Sequence, residues 1–166
     1  MKTFALAFSL LLPVAGGALA DKPKQEDVER ELRSYISAVF RADMGPIMKH
    51  THERVIAMVG DEATFRAEIE GVFEQGKNAG VKLVSADFGK ELDYFAGGEN
   101  EFFLIETTIV VKVGDKESAN PGHQLGVKKK ADKVWKYIDC SSLTTELAQE
   151  WFSDFPKDKK IPKQTP

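Results

Sequence analysis

The spacing of the apolar residues changes once along this chain, near Val81, and that change constrains the fold more than any other feature. Before Val81 the apolar residues recur every three or four positions, which is typical of amphipathic helices. After Val81 they alternate with polar residues, which is typical of β-strands. Helices followed by a separate run of strands predict an α+β fold in which helices pack on an antiparallel sheet.

Three helices are predicted before the change of period. The first covers Gln25 to Arg41 and carries one apolar stripe. The second segment, residues 43–59, contains Gly45-Pro46, and we expect a broken helix there: Asp43 caps a short helix whose first turn tolerates Pro46 and which continues through Ile47 and Met48. The third begins after Asp61, a natural N-cap, and ends at Gly80.

The strands follow in the second part of the chain. The first strand is predicted over residues 81–88 and continues over residues 91–96 after a turn near Gly89. The second strand is predicted over residues 101–113, and the third ends at residues 124–128 after an interruption at residues 120–122. The last strand is predicted over residues 134–140. Both faces of the longest strand, Glu101 to Val113, carry apolar side chains, so both faces are expected to contact something. A last amphipathic helix, Thr144 to Phe152, is expected to lie over the sheet edge or a partner.

The first 20 residues fit a secretory signal peptide. Lys2 supplies the positive charge, an apolar run follows from Phe4 to Val14, and the segment ends in the small-residue pattern Ala18-Leu19-Ala20. A membrane anchor fits less well, because the apolar run is shorter than the roughly 20 residues that span a membrane and Pro13 interrupts it. We therefore expect an exported bacterial protein, periplasmic or secreted, that begins at Asp21.

The remaining residues have the size of one domain. We expect that domain over residues 21–153 and a disordered, Lys/Pro-rich tail over residues 154–166, because the tail has few apolar side chains. Lys2 is the only charge removed from the 23 basic residues, which leaves 22 against 26 acidic ones and a formal net charge of −4. This balance argues against a nucleic acid or, after signal cleavage, a membrane as a partner. Cys140, the only cysteine, is expected to be a small buried hydrophobe.

The order of these elements resembles the nuclear transport factor 2-like superfamily, also described as SnoaL-like or cystatin-related. The resemblance rests on the helix Thr51-His52-Glu53-Arg54-Val55-Ile56, the Gly60-Asp61 start of the third helix, and the last strand Trp135-Lys136-Tyr137-Ile138-Asp139. It implies a cone, in which a curled antiparallel sheet wraps the N-terminal helices and leaves an opening. It implies no single function, because similar members isomerise or dehydrate small molecules, bind ligands, or only associate.

Proton-transfer chemistry in such an opening needs a carboxylate or histidine and a hydrogen-bond donor for a developing oxyanion. The candidates for these catalytic roles are Glu106, Tyr137, Asp139 and His50. Glu106 lies in the longest apolar strand, where a buried unpaired carboxylate would be costly, and the alternative is that it faces solvent. For Asp139 the alternative is that it accepts the backbone amides of Ser141-Ser142.

The same four residues, together with His52 and Trp135, are the ligand-binding candidates. Trp135 and Tyr137 have rings that would stack on a ligand, although aromatic residues alternating on a strand are typical of a core. His50 and His52 are two residues apart, so on a helix they point about 200° away from each other and share no metal. On an extended stretch they would share a face, but no third histidine or cysteine stands nearby in the sequence. The ligand count argues against a zinc site, and no cofactor-binding motif occurs, so we expect neither a metal nor a cofactor.

The leading hypothesis is a noncatalytic exported module that binds a small ligand or a protein partner through the cone or the sheet face. The alternatives are an isomerase, dehydratase or hydrolase of small molecules that uses a pocket carboxylate, and a structural dimerisation domain. A homodimer is expected, because one cone covers only one apolar face of the longest strand. A buried carboxylate of Glu106 or Asp139 beside Tyr137 would favour the enzyme, an apolar cone would favour binding, and a filled cone would favour the structural role.

Overall fold

The computed structural model describes residues 22–163, and it is an α+β fold with an antiparallel sheet, as predicted. The helices are α1 (Gln25–Val39), α2 (Met44–His50), α3 (Glu53–Val59), α4 (Glu62–Asn78) and α5 (Thr145–Trp151). The strands are β1 (Val81–Ala96), β2 (Asn100–Val113), β3 (Lys116–Lys129) and β4 (Lys136–Asp139). The strands lie in chain order in one open sheet, each antiparallel to the next.

The second helical segment is broken, as predicted, and its first part is a short helix that begins after Asp43 and tolerates Pro46. Pro46 lies in the first turn of α2, where a missing amide proton removes no helical hydrogen bond, so it does not interrupt the helix. The break falls at Thr51, which forms an isolated parallel bridge with Tyr137 of β4. The His52 amide also donates to the Tyr137 carbonyl at 3.2 Å, so contact with the sheet edge holds this stretch extended.

Two predicted interruptions of the strands are absent. The turn predicted near Gly89 is wrong, because β1 continues through it with a shift of register between Phe88 and Leu92. The interruption predicted at residues 120–122 is also wrong, because β3 runs through Pro121. Strand β4 pairs only with Gln124–Val127, so Pro121 lies on a stretch of β3 that is a sheet edge, where a residue without an amide proton is tolerated.

One face of the sheet packs against α1. The apolar stripe of α1 contributes Val28, Leu32 and Ile36, and all three are buried. From the sheet, the same cluster receives buried side chains of β1 and β2 together with Trp135 and Tyr137. Side chains therefore fill the space between α1 and the sheet.

The opposite face of the sheet is covered by the C-terminal part of the same chain. Phe102 and Leu104 of β2 are buried there in one cluster with Phe152, Phe155 and Ile161. The second apolar face of β2 is thus partly satisfied within one molecule. The main premise for expecting a homodimer therefore does not hold for this half of the strand.

Residues 154–163 differ from the predicted disordered tail. The Asp154 carboxylate accepts hydrogen bonds from the amides of Glu99 and Asn100, both at 2.8 Å. Lys159 contacts the carboxylate of Asp93 at 2.7 Å, and Phe155 and Ile161 are buried. Two well-placed apolar residues therefore suffice to dock a segment whose overall composition is polar.

Three predictions concern the ends of the chain and its address. The signal peptide, Met1–Ala20, lies outside the described residues, and so does the end of the tail after Lys163. Between Lys22 and Lys163, no helix has the length and apolar character needed to cross a membrane. Export therefore stays a prediction from the sequence.

Candidate functional site

Titratable side chains converge where α1, α2 and β4 meet. Glu31 and Tyr35 lie four residues apart on α1, so they share one side of that helix. His50 ends α2, and Tyr137 belongs to β4. We call these four residues the His50 cluster.

The histidine is oriented by two acceptors. Its Nδ1 atom lies 3.0 Å from the carbonyl oxygen of Trp135 and 3.2 Å from Oε1 of Glu31. A carbonyl and a carboxylate only accept hydrogen bonds, so Nδ1 carries a proton, and the neutral tautomer that fits this arrangement has its lone pair on Nε2. The hydrogen bond from His50 is also the main reason that the pKa of Glu31 lies below its ordinary value, which keeps Glu31 ionised at neutral pH.

The two tyrosines surround this histidine. The His50 ring stacks on Tyr137 at a centroid distance of 5.5 Å and an angle of 10°, and the Tyr35 ring lies 5.2 Å from that of Tyr137. Burial raises the pKa of both tyrosines, so both hydroxyl groups stay protonated. The Tyr35 hydroxyl lies 3.2 Å from Oγ1 of Thr51.

The Tyr137 hydroxyl is an exception among the buried polar groups. It has no partner at full hydrogen-bond geometry among the described residues. Glu31 is nevertheless close enough that its charge and a weak hydrogen bond to its carboxylate raise the pKa of Tyr137 further, after burial. The hydroxyl is therefore only partly satisfied, and Glu31 is the acceptor within its reach.

The His50 cluster borders a cleft of about 430 Å³ between α1, α2 and the start of the last strand. The cleft is lined by Asp27, Arg30, Glu31, Ser34, Tyr35, Pro46, Lys49, His50, Lys133 and Val134. Arg30 is paired with Asp27 at 2.5 Å. Within residues 22–163, neither Lys49 nor Lys133 of this cleft makes an ion pair with a carboxylate, although the charge of Lys49 helps to lower the pKa of Glu31 in the same cleft.

His52 does not join His50. It is the N-cap of α3, where its Nδ1 atom accepts from the Arg54 amide at 3.1 Å, and its ring lies edge-on to Phe152 at 5.1 Å. Burial is the main cause that lowers the pKa of His52, which favours the neutral ring that this cap requires. His50 thus contacts Tyr137 of the cluster under α1, whereas His52 contacts Phe152 of the cluster on the opposite face of the sheet.

The two predicted carboxylates also lie outside the His50 cluster. Glu106 is exposed on the outer face of β2, so the alternative that it faces solvent is confirmed. Asp139 is exposed and accepts from the Ser141 amide at 2.7 Å and from the Gln124 side chain at 2.8 Å. The structural alternative for Asp139 therefore holds, and neither residue lies buried beside Tyr137.

Trp135 and Cys140 are core residues. The Trp135 ring is 7% exposed and packs edge-on against Phe103 at 4.8 Å. Its carbonyl oxygen, not its ring, contributes to the His50 cluster. Cys140 is buried, and burial raises the pKa of its thiol to about 12, so it is no nucleophile at neutral pH.

Sequence analysis missed Glu31 and Tyr35. The available signal was a carboxylate four residues before a tyrosine, at the edge of the apolar stripe of α1. That pattern alone also fits an ordinary surface pair, because only the crossing of α1 and α2 brings His50 to it. Among the described residues, no group of three or more side chains is placed to hold a metal ion.

No family model matches the chain, and neither a curated protein nor a solved structure shows significant similarity to it.

Proposed function

We propose that this protein is a noncatalytic exported module that binds a small polar ligand with an anionic group in the cleft beside the His50 cluster. The observation that carries the proposal is the pair of ammonium groups, Lys49 and Lys133, which line a cleft of ligand size and make no direct ion pair within the described residues. An anionic group would bind between them. Ser34 and Tyr35 line the same cleft and offer hydroxyl groups for orientation.

Two features favour binding over catalysis. The space between α1 and the sheet, where an enzyme of the proposed superfamily would hold its substrate, is filled with side chains. The predicted acids, Glu106 and Asp139, are exposed, and neither is a buried carboxylate beside Tyr137. The ligand therefore has to use the cleft at the edge of the fold.

Native mass spectrometry of the full chain, purified from its own periplasm, tests this function. We expect a bound small molecule on the wild type and its loss in Lys49→Met/Lys133→Met. The matched control is Lys116→Met, because Lys116 is exposed on β3, outside the cleft. The proposal would be contradicted if the double variant retained the bound molecule. It would also be contradicted if the wild type carried no bound molecule and gained no thermal stability from a panel of small carboxylates.

A second candidate function is a proton-transfer enzyme, and one observation favours it. The Nε2 lone pair of His50 is fixed by the two acceptors on Nδ1, which is the arrangement of a general base. In deuterated water, such an enzyme would exchange a carbon-bound hydrogen of the bound molecule. His50→Gln should abolish that exchange and retain binding, whereas a purely binding site shows no exchange in the wild type.

We also infer that the chain is a member of the nuclear transport factor 2-like superfamily and that its sheet is the wall of the cone. The order of helices and strands supports this, as does the parallel bridge that joins Thr51, between α2 and α3, to Tyr137 of the last strand. A crystal structure of the mature chain tests it. A flat sheet that leaves α1 at one edge would refute it.

Export belongs to the same proposal. Its support is the sequence of Met1–Ala20, with Lys2, the apolar run and the cleavage pattern before Asp21. Intact mass of the protein from a periplasmic fraction measures where the mature chain begins. Retention of the first 20 residues would refute both the export and the expected boundary.

A homodimer through the open part of the sheet is the last element of the proposal. Ile109 packs toward α1, whereas Val110, the next residue, lies on the other face of β2 and is only partly buried. In an isologous pair a charge near the symmetry axis meets its own copy, so Val110→Lys should give a folded monomer by light scattering. Ile109→Lys should instead unfold the protein, and a wild type that is monomeric at micromolar concentration would refute the dimer.

A further inference from the structure

An apolar groove lies between α4 and the beginning of β1, at the far end of α1 from the N-terminus. Its volume is about 590 Å³, within the range of ligand sites. Its walls are formed by Val39, Phe40, Ile69, Val72, Phe73, Gly76, Gly80 and Val81, and the remaining two lining residues are Lys77 and Lys82. The groove shares no residue with the cleft beside the His50 cluster.

Residues 22–163 leave this groove open. Of the 17 residues of α4, only Phe65 is buried. Val72, on the groove, is 66% exposed, which makes it one of the most exposed large apolar side chains in the described part of the molecule. Exposed apolar surface of this kind marks a place where something apolar binds.

The charges at the groove have one sign. Lys77 and Lys82 line it, and no acidic residue does. Lys82 lies directly opposite Lys112 in the pairing of β1 with β2, and like charges at such positions repel. Lys77 has only an exposed contact of 3.7 Å with Glu74, which compensates little of its charge.

We propose that this groove binds a free fatty acid, with the acyl chain between α4 and β1 and the carboxylate near Lys77 and Lys82. The apolar walls account for the chain, and the uncompensated lysines account for the anionic end. The site is separate from the proposed function and does not depend on it.

Two glycines of α4 provide a matched test. A Cβ atom added at Gly76 would lie 3.8 Å from Cβ of Val81 across the groove, so a leucine there would project into the groove. A Cβ atom at Gly71, on the same helix, has no heavy atom within 4 Å, and Gly71 does not line the groove. Leucine is a better helix former than glycine, so both variants should fold.

The full chain is titrated with cis-parinarate, a fluorescent fatty acid, below its micelle concentration. We expect saturable binding of one molecule by the wild type and by Gly71→Leu, and at least about tenfold weaker binding by Gly76→Leu. Circular dichroism of both variants verifies the fold. Equal binding by the two variants, or none by the wild type, would overturn the proposal.

The contribution of the lysines is measured separately. Lys77→Met/Lys82→Met keeps the length of both side chains and removes their charge, so it should weaken cis-parinarate binding and leave the binding of the corresponding neutral alcohol unchanged. Equal losses for acid and alcohol would refute the role of the charges. If the protein bound anionic vesicles but not the free acid, the occupant of the groove would be a membrane surface. If the protein were a dimer that Val72→Lys dissociates, the occupant would be a second copy of the chain. Either result would overturn the proposal.

Discussion

Gly126→Ala is expected to destabilise the protein strongly, although it adds a single methyl group. Gly126 lies opposite Phe103 in the pairing of β2 with β3, and the Phe103 ring lies over it. A Cβ atom at Gly126 would stand 2.2, 2.3 and 2.7 Å from three carbons of that ring. Carbon atoms in contact lie about 3.5 Å apart or more, so the ring would have to move by roughly 1.3 Å.

The ring has no free space into which it can move. Phe103 is fully buried and packs on Trp135 at 4.8 Å and on Tyr137 at 6.3 Å. Overpacking a core costs about 1–3 kcal/mol, and we expect the upper end of that range. Urea denaturation followed by circular dichroism and tryptophan fluorescence measures the free energy of unfolding.

A double-mutant cycle isolates the cause. Phe103→Leu alone should cost about 1–1.5 kcal/mol, and in the Gly126→Ala background it should cost little, because the smaller side chain makes room for the new methyl group. Gly71→Ala is the control, because its Cβ has open space and the helix gains up to about 1 kcal/mol. Additive losses in the cycle, or a loss below about 0.5 kcal/mol for Gly126→Ala, would refute the steric argument.

Three further predictions concern the core, the C-terminal segment and the His50 cluster. Trp135→Ala should cost about 3–5 kcal/mol in urea denaturation, and a loss under about 1 kcal/mol would show an exposed ring. Asp154→Ala should cost about 1–3 kcal/mol, because three donors from Glu99 and Asn100 lose their acceptor, and it should speed proteolysis after residue 153. Asp158→Ala is its control, and equal losses would contradict the prediction. The hydrogen bond from His50 lowers the pKa of Glu31 in the folded state. The ionised Glu31 therefore stabilises the fold fully at a pH above its pKa in the unfolded chain, about 4.3. This stabilisation is lost as the pH falls through the lower pKa of Glu31 in the folded protein. The stability difference between wild type and Glu31→Gln should therefore shrink from pH 6 to pH 3, and a constant difference would refute the linkage.

The elements with an uninterrupted period were predictable from the sequence. The apolar stripe of α1, the alternation of β2 and the amphipathic pattern of α5 lie within two residues of their predicted bounds. Glycine and proline were the less reliable signals. Gly89 and Pro121 predicted interruptions, but a shift of register absorbs the first and an unpaired strand edge tolerates the second.

The candidate site was predicted only in part, because it depends on contacts between elements. His50 and Tyr137 were chosen for their chemistry, and both belong to the cluster. Glu31 joins them because α1 crosses α2, and the pattern of neither helix contains that crossing. The burial of Phe155 depends in the same way on Phe102 and Leu104, which lie on the face of the sheet opposite α1 and are far from Phe155 in the sequence.

The C-terminal cover has a consequence for the order in which the molecule is made. Phe102 and Leu104 are synthesised well before Phe155 and Ile161, which bury them. During that interval the outer face of the sheet is an exposed apolar surface, so the fold is completed only when nearly the whole chain has been released from the ribosome. For the export proposed above, a core that is completed by Phe155 and Ile161 would keep the chain unfolded for longer before it crosses the membrane.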